Sequence, residues 1–137
     1  MGLRPILDPL WSTEALSFSH DGCEAQRIDK IRFICNQNER AILENLRVCT
    51  TSELGYQYNC GKCEKCLRTM IGLHICGGLE LCPRLPHVID PQLIRSFEVR
   101  GPYLKMIFRE LLDELGSDPD DSEIAAALAD AIARESD

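Results

Sequence analysis

The sequence predicts a mainly α fold: a helical chain with one irregular, cysteine-rich loop and at most a short strand. Three observations carry this. Apolar residues recur at helical spacing, most clearly at Leu104, Ile107, Phe108, Leu111, Leu112 and Leu115. Helix stops follow such stretches, as Gly77-Gly78 and Gly116 do. Between the periodic stretches lies "VCTTSELGYQYNCGKCEKCLRTM", residues 48–70, whose first half follows no period and which holds four of the eight cysteines.

Residues 1–19 read as an extended lead-in, because Pro5 and Pro9 discourage a long helix, with Trp11 as a packing anchor. A first helix is expected from Asp21, which can serve as N-cap with Glu24 at capping-box spacing, and Ile28, Ile31 and Cys35 as its stripe. A short helix over 39–46 follows, and then "LRVCT" as a short strand entering the cysteine loop. Residues 63–76 read as helix, with Leu67, Met70, Ile71, His74 and Ile75 on one face. "LELCPRLPHVIDP" is a proline-punctuated loop, and 91–97 a short helix. The helix over 102–115 opens on Pro102, a residue suited to a first turn. "SDPDD" is a turn, and an alanine-rich helix over 122–134 carries a narrow stripe of Ile124, Leu128 and Ile132. Residues 1–89 are expected to form the cysteine-motif region and 90–137 a helical extension.

Composition narrows the function. With 45% hydrophobic and 27% charged residues the 137-residue chain is globular, and no apolar run reaches the roughly 20 residues of a membrane span. "MGLRPILDPLW" has neither a continuous apolar core nor a small-residue cleavage site, so the expected location is the cytoplasm, with reduced thiols. A net charge of −7 counts against a general nucleic-acid binder. The charge is uneven: residues 27–68 hold eight Lys/Arg against five Asp/Glu, while the rest of the chain is strongly acidic.

Cys60, Cys63 and Cys66 stand in two x2 steps that share Cys63, and Cys49 precedes them across a ten-residue gap. A C-x2-C step on a tight turn brings two sulfurs to one point, and a structural zinc site needs four such ligands. Gly61 relieves the turn, the helix start lowers thiol pKa, and Lys62 and Lys65 offset thiolate charge. The reading is a structural zinc ion held by Cys49, Cys60, Cys63 and Cys66. Two other uses stay open: part of a [4Fe–4S] site, to which Cys82-Pro83 would contribute, and a dithiol redox centre at Cys60 and Cys63. Cys23, Cys35, Cys76 and Cys82 read as small buried apolar residues, and His74 as a core or interface histidine. "SHDG" sets His20 and Asp21 at a helix N-terminus, where an anion can bind free N–H groups, though Asp21 can equally cap its own helix.

The run "VC" followed by "NCGKCEKCLRTM" resembles the C-terminal zinc motif of the cyano-deazaguanine synthases of the queuosine precursor pathway, members of the PP-loop ATP pyrophosphatase superfamily. There a cysteine after a short strand precedes C-x2-C-x2-C opening a helix, with a basic residue soon after, which Arg68 answers. "DPLWSTE", "SHDG" and "AQRIDKIRFI" also look like uncharacterised members, and the likeness covers roughly residues 5–78. It implies the C-terminal part of an α/β protein that activates a carboxylate as an adenylate, with zinc structural. The family cradles ATP in an N-terminal SGG-x-DS loop. This chain has none, its only Gly-Gly being Gly77-Gly78. The resemblance therefore implies a portion of an ATP-dependent ligase or amidating enzyme, inactive alone and completed by an N-terminal PP-loop region or partner chain, with Met1 as an internal start. On that reading His20, Asp21, Arg27 and Lys30 face the missing nucleotide or substrate. The rival reading is a non-enzymatic zinc-ribbon-like binding module with a basic surface at Lys62, Lys65 and Arg68.

Overall fold

A computed structural model of the protein describes residues 7–19, 21–37, 40–50 and 58–134. It is helical: α1 (Arg27–Asn36), α2 (Arg40–Glu44), α3 (Glu64–Ile75), α4 (Pro91–Ser96), α5 (Gly101–Glu114) and α6 (Pro119–Ala133), with short 3-10 turns at Asp8–Trp11 and Leu79–Leu81. Among the described residues there is no β-strand, so the mainly α expectation holds. The strand expected at "LRVCT" does not form. The backbone N–H groups of Val48 and Cys49 donate to the side-chain oxygen of Asn59 instead of to a neighbouring strand.

Helix α3 is the central element because both of its faces are apolar. Leu67 and Ile71 join Ile28, Ile94, Val99, Phe108, Leu111, Ile124 and Leu128 in one core. Cys66, Met70 and Leu73 join Ile31, Leu43, Cys49, Leu79, Cys82 and Leu85 in a second. The first core draws on residues from both sides of position 89. The start of α3 is set by Cys63, whose extended backbone (φ −78°, ψ 163°) makes it the N-cap. Its end is a Schellman motif: Gly77 N donates to His74 O (3.0 Å) and Gly78 N to Leu73 O (2.7 Å), with Gly77 at φ 67°.

Helix α1 lies close on α3 at Gly72, where an added Cβ would fall 2.6 Å from Ile31 Cδ1. It begins at Arg27, six residues later than Asp21, because Gly22 turns the chain at φ 69° and Gln26 takes the N-cap position. Asp29 then accepts from Gln26 N (3.0 Å), closing the box that the sequence places at Asp21 and Glu24. From α5, Glu110 accepts from Ile28 N (3.1 Å), and Glu114 pairs with Arg32 (2.6 Å). Helix α6 starts at Pro119, three residues before the expected Ser122, with Asp118 as N-cap and the acidic pair Asp120 and Asp121 in its first turn. The stretch read as a turn is thus largely helix.

Two side chains depart from their expected roles. Trp11 is 73% exposed and packs in neither core, so it is no anchor. Of the four cysteines read as buried, Cys82 is buried, Cys35 and Cys76 are half-buried and Cys23 is exposed. His74 bears out an interface role: its Nε2 meets Asp121 Oδ1 at 2.7 Å, while Asp121 Oδ2 accepts from Gly116 N (2.9 Å), tying α3 to the α5–α6 turn.

Burial pushes the thiols of Cys35, Cys76 and Cys82 above the ordinary cysteine range. A thiol whose folded pKa is raised contributes stability in full below its unfolded value of about 8.5 and loses it as pH rises toward the folded value. Thermal midpoints are therefore expected to fall between pH 8 and pH 10, and Cys76→Ala should flatten that slope. An unchanged slope in the variant would show that this thiol does not carry the effect.

Candidate metal centre

The chain brings its four motif cysteines to one point by three local devices. Gly61, at φ 69°, turns the backbone between Cys60 and Cys63. Within that turn Lys62 N (3.4 Å) and Cys63 N (3.3 Å) both donate to Cys60 Sγ. Cys66, one turn into α3, follows on the same side as Cys63. Cys49 closes the group from the other direction, held by Asn59.

Asn59 is the hub. It is 8% exposed and uses its whole amide. Oδ1 accepts from Val48 N (2.8 Å) and Cys49 N (3.2 Å), and Nδ2 donates to Leu46 O (2.8 Å) and Arg84 O (3.0 Å). One side chain thereby fixes the segment carrying Cys49, the knuckle carrying Cys60, and the loop at 82–86. That loop covers the site, with Leu85 buried and Pro86 against Gly61. The guanidinium of Arg84 stacks 4.4 Å from the Tyr58 ring centroid and adds a rim contact.

The sulfurs lie 3.6 Å (Cys49–Cys60), 3.8 Å (Cys49–Cys63), 3.8 Å (Cys60–Cys66) and 3.5 Å (Cys63–Cys66) apart, and all four fall within 4.8 Å of one another. These spacings are far beyond the ~2.05 Å of a disulfide. Four thiols so placed can hold a metal ion. Burial comes first among the causes that push the Cys63 and Cys66 thiols up, partly offset by backbone N–H donors. Neutral thiols are thus favoured at Cys63 and Cys66, and a cation at the centre of the group supplies what ionisation lacks there.

The other expected residues divide. His20 lies outside the described residues. Asp21 is exposed and does not cap α1. Arg27 and Lys30, however, line one small pocket with Thr69. Arg68 sits over the first turn of α3 and pairs with Glu64 (2.8 Å), both largely buried. Lys65 reaches Thr50 Oγ1 (3.3 Å). Of the three cations of the expected basic surface, Arg68 is thereby neutralised within the fold, while Lys65 keeps its charge at the surface. Sequence reasoning missed Asn59, and the only available signal was its adjacency to Cys60.

Gly61 is the position where backbone and space both demand glycine. A Cβ there would lie 2.5 Å from Pro86 Cγ, in a left-handed conformation. Gly61→Ala is expected to cost roughly 2–4 kcal/mol, the sum of αL strain and overpacking. Chemical denaturation of the metal-loaded variant measures it, and a cost below about 1 kcal/mol would mean that Pro86 yields freely.

Fold and site together define a small helical protein built around a four-cysteine group that can hold a metal. The chain matches no protein-family model, no curated protein and no solved structure. Among the described residues no helix is long and apolar enough to cross a membrane.

Proposed function

We propose that Cys49, Cys60, Cys63 and Cys66 hold one zinc ion as a closed structural centre, and that the chain serves as the zinc-stabilised C-terminal portion of a PP-loop-type ATP-dependent ligase. The observation that carries the first half is the sulfur geometry. A tetrahedron of thiolates about 2.3 Å from one ion has edges of about 3.8 Å. Four of the six sulfur–sulfur separations, 3.5–3.8 Å, sit close to that length, and all six are within 4.8 Å. A [4Fe–4S] cube interposes its own irons and sulfides between the cysteines and needs sulfurs much farther apart. Four protein ligands leave no open position for water, so the ion organises the chain and does not catalyse.

The second half is supported by the order of the motif: a cysteine, a gap, then C-x2-C-x2-C at a helix start, with Arg68 following. On this reading ATP binds a region bearing SGG-x-DS outside this sequence, and Cys49–Cys66 pins the region that abuts it. The zinc-ribbon alternative is weakened because the Glu64 carboxylate already neutralises Arg68.

Elemental analysis of protein purified under reducing conditions tests the metal, with one zinc per chain expected. A brown protein absorbing in the visible and carrying iron would overturn it. For the ligase half, an affinity-tagged copy in its native cell should bring down SGG-x-DS sequence, fused or as a separate chain. A tagged 15.4 kDa chain recovered alone would end that half.

A further inference from the structure

Residues 7–19, the lead-in, hold a shape of their own but join neither core. The 3-10 turn Asp8–Trp11 brings Leu10 over Leu7, with Trp11 beside them. A second turn follows, in which Phe18 N donates to Ser12 Oγ (2.9 Å), Leu16 N to Thr13 Oγ1 (3.1 Å) and Thr13 N to Leu16 O (2.8 Å). Leu7, Leu10, Trp11, Leu16 and Phe18 are nonetheless all exposed. Five bare apolar side chains on a preformed segment mark a contact surface, and one that loses little entropy when it docks.

The fold also leaves an apolar socket uncovered. Helices α1, α2 and α3 enclose a pocket of about 200 Å³ walled by Ile31, Ile34, Leu43, Leu46, Val48 and Leu73, and no described residue of the lead-in lines it. That volume lies below the roughly 300–1,000 Å³ of small-molecule sites and is on the scale of one large anchoring side chain. Phe33 and Ile42, next in sequence to the wall residues Ile34 and Leu43, are exposed and extend the apolar surface. The two surfaces are opposite in charge. Residues 7–19 carry Asp8 and Glu14 and no Lys or Arg, whereas Arg27 and Lys30 border the pocket. The Lys30 ammonium stands outside it beside Gly22, 3.6 Å from where a Cβ would be. The lead-in thus leaves the fold at the edge of the pocket.

We propose that two copies of this chain exchange lead-ins about a two-fold axis, with Trp11 of each seated in the α1–α2–α3 pocket of the other. Within one chain the lead-in keeps its own turn and leaves the pocket bare. A second copy brings to that pocket a segment that matches it in apolarity, in size and in opposite charge. The two-fold axis makes the exchange reciprocal and closes the assembly at two chains. The area suffices. At about 30–40 Å² per interface residue, the thirteen residues 7–19 and the surface they cover, counted for both exchanges, bury roughly 1,600–2,100 Å², the size of a stable interface. The inference does not rest on the ligase reading and requires only that the fold be intact.

The test follows metal-loaded full-length chain by sedimentation equilibrium from about 1 μM to about 1 mM, where a monomer–dimer equilibrium with a micromolar dissociation constant is expected. Trp11 is the only tryptophan, so its emission should shift to the blue with the same midpoint. Trp11→Ala, at an exposed position, should weaken dimerisation at least ~30-fold, and Ile34→Glu in the pocket wall should do likewise. Mixed, these two variants keep one intact lead-in and one intact pocket. Trp11 emission from the Ile34→Glu chain should therefore shift to the blue when the Trp11→Ala chain is added. Unchanged zinc content and melting temperature in Trp11→Ala separate loss of docking from loss of the fold or of the metal centre. A chain still monomeric at the highest concentration, or a dimer that Trp11→Ala leaves intact, would overturn the proposal. So would blue-shifted emission at every concentration, which would put the lead-in in the pocket of its own chain.

Discussion

On the proposed zinc reading, stripping the ion from the loaded protein with a strong chelator is expected to lower its stability by at least ~4 kcal/mol. Structural zinc contributes about 10–16 kcal/mol of apparent binding energy where a peptide folds only with metal. Here a separate core of Ile71, Phe108, Leu111 and Leu128 persists without the ion, so the loss is smaller but still large. For a chain of this size the melting temperature should fall by roughly 10–15 °C. Cys66→Ser should reproduce the loss without chelator, because Cys66 is fully buried and belongs to both the metal group and the second core. The effect should be pH-dependent in a defined direction: loading weakens as pH falls, since each ligand must shed a proton to bind. A metal-free protein with an unchanged melting curve would remove the structural role altogether.

Replacing Asn59 by leucine is expected to cost about 3–4 kcal/mol, although the substitution is close in size and leaves every cysteine in place. Four backbone groups lose their partner at once: Val48 N, Cys49 N, Leu46 O and Arg84 O. Each buried orphan costs on the order of 1 kcal/mol or more. Because Asn59 orients the segment carrying Cys49, metal affinity should also drop about 10- to 100-fold, as it does when groups that orient ligands are removed. Competition with a chromophoric chelator reads the affinity, and denaturant titration of the loaded protein reads the stability. Asn59→Asp separates the two halves of the amide. It keeps the acceptor for Val48 and Cys49, loses both donations, and adds a buried charge beside four thiolates. It should therefore remain strongly destabilised. A variant as stable as the parent would mean that the loop at 82–86 is held by other contacts.

The legibility of this chain in its sequence follows a physical line. Helices α3 and α5 match their expected spans to within a residue at either end, because their apolar periodicity and their terminal Cys63, Gly77 and Pro102 point the same way. Helix α1 starts late because Asp21 and Gln26 compete as N-caps. Gln26 wins through Asp29 once Glu110 arrives from α5 to take the N–H of Ile28, a partner 82 residues away. The missing strand at Val48 has the same origin. Strand propensity loses to one asparagine side chain supplied from beyond the loop. Trp11 is exposed although a lone tryptophan suggests burial, because burial needs a neighbour that spacing does not reveal. Of the site, the cysteines were legible since ligand spacing is local. Asn59 and the pocket at Arg27 and Lys30 were not, since both are made by elements distant in sequence.

Helix α3 supplies one face to each core, and this predicts the order in which the protein comes apart. Segments tied only to the second core, residues 46–50, 58–61 and 82–86, depend on sulfur ligands and on Asn59 for their amide partners. Those on the first core, above all α5 and α6, depend on apolar packing that no chelator touches. Amide hydrogen exchange should therefore separate once zinc is withdrawn. Protection at Val48 and Cys49 should collapse, while Phe108, Leu111 and Leu128 go on exchanging only through global opening. The buried face of α3 is the seam along which one cooperative unit divides into two.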